Sequence, residues 1–168
     1  MTEDRRRRRE HDVTPQIQGR YAPAALTLLH AHDVRVCHWR TSMTGIAWIG
    51  HPRRPIEAPH PRSPLSFSIL AHEVGHHALG ARRPRWREEY LAWEFAFAQM
   101  RQLGVPIEPR VRARHAASMR YALAKALRRW LRDVPPELQP FAAGVPVPRP
   151  DAVCVPREPG APRGPLAS

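Results

Sequence analysis

Lysine is almost missing from this 168-residue chain: of 27 basic residues only Lys125 is a lysine, and the others are arginines. Cysteine is nearly as scarce. Cys37 and Cys154 alone cannot build a disulfide framework or a four-cysteine zinc site. The expectation is a buried thiol at Cys37 and an inert one in a tail at Cys154. No apolar run approaches the ~18 residues that a membrane-spanning helix needs. The arginines Arg5 to Arg9 are not followed by the apolar stretch of a secretory signal. The expected location is therefore the cytoplasm, with no membrane partner.

Acidic residues are also under-represented, 15 against 27 basic, which leaves a formal charge of +12. A surplus carried by arginine, in a chain also rich in alanine and proline, fits GC-rich coding as well as it fits function. It implies non-specific attraction to nucleic acid and other polyanions, not a sequence-reading surface. The apolar fraction of 42% is enough for one packed domain. The 20 prolines show where that domain stops, because ten of them fall within 135–168. Proline lacks a donor and biases its predecessor away from helix, so 135–168 reads as a disordered tail. Residues 1–13 read as a disordered basic arm. The foldable part is 14–134.

Within it, the apolar spacing predicts a helix starting near Pro23. Two strand-like runs follow, 34–39 and 44–49, read as a hairpin. A third, 54–58, is flanked by prolines that push it toward a sheet edge. The pattern then turns helical over 66–79 with Gly80 as the stop, over 85–103, and over 110–131. The order is α+β: a small antiparallel sheet with three to four helices.

The helix over 66–79 carries His72-Glu73-Val74-Gly75-His76. Positions i and i+4 share a helix face, so both imidazoles can meet one cation, with Glu73 at the rim of that face. Zn2+ suits neutral imidazole. It would activate water and polarise a carbonyl, while Glu73 acts as general base and passes the proton to a leaving amine. With ten histidines and ten glutamates, chance supplies about 0.03 such motifs per chain. A third ligand is required. Position 82 is arginine, so the third histidine of the metzincin spacing is lacking. If the turn 80–84 folds the next helix back, Glu88 or Glu89 comes opposite His76. Glu89 shares a face with Ala92, Trp93 and Ala96 and is favoured, whereas Glu88 and Glu94 read more easily as solvent-facing.

These residues resemble a family. Ala71-His-Glu-Val-Gly-His-His-Ala-Leu-Gly80, followed by Glu89-Tyr-Leu-Ala-Trp-Glu-Phe-Ala96, is similar to the ImmA/IrrE-type metallopeptidases over about residues 20–105. The resemblance implies a zincin-like minimal metallopeptidase domain of gluzincin type. It also implies His72, His76 and Glu89 as zinc ligands, Glu73 as catalytic base, and a regulatory protein such as a repressor as substrate.

Other residues carry weaker signals. His77 points away from the ligand face and reads as half-buried or as a support to the ligands. Tyr90 reads as packing, with donation to a developing oxyanion as the alternative. His60 reads as an exposed loop histidine, and the strand around Ile56 as an edge that an extended peptide could join. The expected function is a zinc-dependent endopeptidase acting on a peptide or protein. The rival is a basic nucleic-acid-binding or mobile-element interaction protein whose metal site is structural or vestigial.

Overall fold

The computed structural model describes residues 16–129 and 131–146. In chain order it forms α1 (Ala22–Ala31), β1 (Arg35–Arg40), β2 (Ile46–Ala47), β3 (Pro55–Pro59), α2 (Pro64–Leu79), α3 (Arg85–Gln102), α4 (Pro109–Arg129) and a 3-10 helix (Pro136–Phe141). The α+β class stands. No helix among the described residues is long and apolar enough to cross a membrane.

The sheet is mixed, not antiparallel, and the expected hairpin does not form. The strand order is β1-β3-β2, with β3 parallel to β1 and antiparallel to β2. Two residues of β2 are too few to partner the six of β1. The stretch 41–54 instead serves as the long crossover that a parallel pair requires. The Ile56 strand is consequently central and not an edge. Its prolines stand only at its first and last positions, so Ile56, Glu57 and Ala58 keep their donors. Cys37 is another correction: it lies at a register shift in β1, is exposed, and donates its S–H to the Ile56 carbonyl at 3.2 Å.

Helix α2 is the centre of the molecule. It starts at Pro64, two residues before the sequence suggested, because Ser63 and Ser66 form a reciprocal capping box ahead of it. Every residue from Ser66 to His76 is buried, the signature of a helix covered on all sides. Helix α3 packs against it most extensively, and β3, α1, α4 and β2 also touch it. Gly80, at φ +70°, ends the helix in a left-handed conformation that suits glycine. Residues 80–84 then return the chain as α3.

The two helices approach closely at Gly75. A Cβ placed there would lie 3.1 Å from the Ala92 carbonyl oxygen and 3.0 Å from Phe95 Cδ1. The small pair Gly75 and Ala92 thus lets the backbones close up, and this brings the start of α3 to the histidines. Outside α2 the core continues through Trp93, Met100, Met119 and Leu123. It also takes in Leu138 of the 3-10 helix, which is fully buried. The packed region therefore runs past the expected boundary at 134, because Leu138 finds an apolar site that proline counting cannot see. The expected arm 1–13 and the remainder of the expected tail, 147–168 with Cys154, lie outside the described residues.

Candidate metal centre

His72 and His76, one turn apart on α2, bring their Nε2 atoms within 3.2 Å of each other. Glu89 Oε2 reaches over from α3 to 3.3 Å from His72 Nε2 and 3.7 Å from His76 Nε2. Ligand atoms around a tetrahedral ion with bonds of ~2.0–2.1 Å stand about 3.3 Å apart, so the triangle fits one such cation. The three residues form a group able to hold a metal. Of the three acidic candidates on α3, the structure thus selects Glu89.

Neighbouring groups set each donor. Arg85, one turn before Glu89, binds Glu89 Oε1 at 3.0 Å and leaves Oε2 turned toward the histidines. Burial would raise the Glu89 carboxyl, but the hydrogen bond from His72 and the charges of His72, His76 and Arg85 outweigh it and hold Glu89 down to about 2. His76 is pushed well below its ordinary value by burial and by His72. Its ring is therefore neutral, the form that ligates metal.

Glu88 is not solvent-facing as the sequence suggested. It is buried, its Oε1 lies 2.9 Å from His76 Nδ1, and Oε2 accepts the Arg82 backbone N–H at 3.2 Å. With the His76 proton held at Nδ1 by this carboxylate, the lone pair of Nε2 faces the centre of the triangle. The signal for Glu88 was available: it pairs opposite His76 across the turn as closely as Glu89 does.

Glu73 is also buried, and burial, the largest cause, pushes its carboxyl up to about 7 against the opposing charge of His72. Gly45 covers it from the loop before β2: a Cβ at Gly45 would collide with the carboxyl group, 2.7 Å from its Cδ. Sequence reading passed over Gly45, although an isolated glycine beside a strand-like run signals close approach. Glu73, His72, His76 and Glu89 share a cleft of about 410 Å³. The edge strand β2 lines it through Ile46 and Ala47, and α4 lines it through Arg114 and Ser118.

The remaining candidates lie elsewhere. His77 accepts no role in the cleft; its Nε2 is 3.0 Å from the Pro55 carbonyl, and its own carbonyl accepts from Arg54, which fastens β3 to α2. Tyr90 packs against the core, with Glu94 and Glu137 as its charged neighbours, and is not among the cleft residues. One position on from Glu89, Tyr90 is turned about 100° round α3 from that ligand. His60 is half-buried and stacks on Trp39 at 4.4 Å. Trp93, behind His72 at 4.7 Å, and His115, against Trp93, Phe97 and Phe141, back the site from α3 and α4. Trp93 was legible as a core-directed residue on the Glu89 face, whereas His115 was not, because aromatic packing leaves no motif.

The chain matches no protein-family model, no curated protein and no solved structure.

Proposed function

We propose that this protein is a zinc-dependent endopeptidase of gluzincin type. The observation that carries the reading is the juxtaposition in one open cleft of a His72–His76–Glu89 triangle with a separate, buried carboxylate at Glu73. A purely structural metal site would need neither the cleft nor the fourth group. Nitrogen, nitrogen and carboxylate oxygen at these spacings suit Zn2+, which supplies charge to polarise a peptide carbonyl and to activate water.

The chain's own residues do the rest. Glu73, poised near neutrality, takes a proton from the attacking water and delivers it to the leaving nitrogen as the C–N bond breaks. Gly45 keeps its carboxyl from turning away. Strand β2, at the edge of the sheet and beside the cleft, offers backbone groups along which an extended peptide can align, its carbonyl brought to the metal end. This role passes to β2 from the Ile56 strand, both of whose sides are paired.

The experiment is a comparison of wild type, Glu73→Gln and His72→Ala. Elemental analysis should give about one zinc per chain for wild type and Glu73→Gln, and little for His72→Ala. Mass spectrometry of a peptide library should show cleavage by wild type alone. Cleavage that survives in Glu73→Gln refutes the mechanism.

A further inference from the structure

The metal cleft does not end at Glu89. A second hollow of about 280 Å³ shares Arg85, Glu89 and Ser118 with it and continues between α3 and α4. Its walls include the apolar Trp86, Ala122 and Ala126, and its lining ends at Lys125 and Arg129. Arg114, Ser118, Ala122, Lys125 and Arg129 are spaced by four, four, three and four residues, so they form one stripe on α4. At 1.5 Å per residue the stripe leads roughly 22 Å along the helix.

The charge along this stripe is one-sided. Arg85 is already bound to Glu88 and Glu89, and Glu89 has one oxygen on Arg85 and the other toward the histidines. Arg114, Lys125 and Arg129 form no ion pair with another described residue, and the Nε of Arg114 is buried without a hydrogen-bond partner. We propose that this stripe is the substrate-binding face on one side of the scissile bond, and that it selects polypeptides carrying a carboxylate there. The carboxylate is an Asp or Glu side chain or the substrate's own C-terminus, since charge-assisted hydrogen bonds to guanidinium and ammonium groups serve both. The term scissile rests on the peptidase reading; the binding preference does not. A polypeptide fits better than a nucleic acid, because Trp86, Ala122 and Ala126 give the hollow apolar walls between its charged groups, and Lys125 Nζ already lies 5.8 Å from the centroid of its exposed ring, Tyr121.

The test is fluorescence anisotropy on the zinc-loaded Glu73→Gln protein. The probes are fluorescein-labelled dodecapeptide libraries that differ only in Asp and Glu against Asn and Gln, each made with a free and an amidated C-terminus. Carboxylate-bearing probes should bind at least about 10-fold tighter than neutral ones, and the amidated arm tells which carboxylate is read. Lys125→Ala/Arg129→Ala should lose the preference. Arg120→Ala/Arg128→Ala removes the same charge from α4 outside the hollow and should keep it. Equal binding of all probes, equal loss in both double variants, or a single-stranded oligonucleotide that outcompetes the acidic peptide for Lys125 and Arg129 would each overturn the proposal. A retained preference in a protein whose wild type cleaves nothing defeats the peptidase reading and leaves the groove standing.

Discussion

Glu88 Oε1 and His76 Nδ1 stand 2.9 Å apart in the protein interior, where the side chains are only 4% and 6% exposed. A buried carboxylate behind a ligating histidine fixes its tautomer and orientation and raises its basicity. Glu88→Gln keeps the shape but allows the amide to present either end to the ring. Zinc affinity, read by competition with a chelating indicator, should fall about 10–100-fold while the circular dichroism stays unchanged. Unaltered affinity would show that Glu88 only anchors the 80–84 turn through Arg82.

The contact between Gly45 and Glu73 makes a separable prediction. Gly45→Ala forces the Glu73 carboxyl to move, but it touches none of the three donors. Zinc content should stay near one per chain, and kcat for peptide cleavage should drop by about 10-fold or more, since a misplaced general base forfeits most of its 10²–10⁴-fold contribution. A full loss of metal would place Gly45 in the ligand scaffold instead.

Gly75→Ala tests the seam between α2 and α3. Its new methyl would press on the Ala92 carbonyl oxygen, which the helix backbone holds in place, and on the Phe95 ring; overpacking of this kind costs about 1–3 kcal/mol, of which the gain of about 1 kcal/mol for alanine over glycine in a helix offsets a part. Because the same seam brings Glu89 to the histidines, urea midpoint and zinc affinity should fall together. A stability loss with unchanged affinity would separate the seam from the site.

His115 should govern part of the acid sensitivity. Burial, with the charge of His72, depresses it from 6.5 to about 4. Between those values the unfolded chain holds the extra proton, so stability is present above about 6.5 and is lost as pH falls toward about 4. His115→Phe fits a ring among Trp93, Phe97 and Phe141 and removes the titration. The Tm difference between pH 7 and pH 5 should therefore be smaller in the variant than in wild type. An equal difference in both proteins would mean that other groups carry the effect.

The helices were legible in the sequence because their apolar spacing repeats over many turns, and His72, Glu73 and His76 were legible from the H-E-x-x-H spacing, which a helix turns into a shared face. Glu89 was reachable by counting across a short turn. Glu88 was misjudged because a carboxylate beside arginines reads as surface, whereas burial depends on the depth at which α3 docks. The sheet was misread for a related reason: strand runs declare themselves locally, but which run lies between the other two depends on what covers each face. Arg114 and Ser118 come from a helix 25 or more positions downstream of Glu89, and no local pattern announces that they line its cleft. Leu138 shows the same limit from the other direction, as a single apolar residue inside a proline-rich stretch.

The unbroken interior stretch Ser66 to His76 gives this molecule no scaffold distinct from its candidate metal site. Sheet and neighbouring helices all lean on the one segment that bears the imidazoles, so any motion that loosens their grip must also scatter the donors. Occupation of the triangle would accordingly be felt far away, as slower amide exchange in layers that never touch the ion.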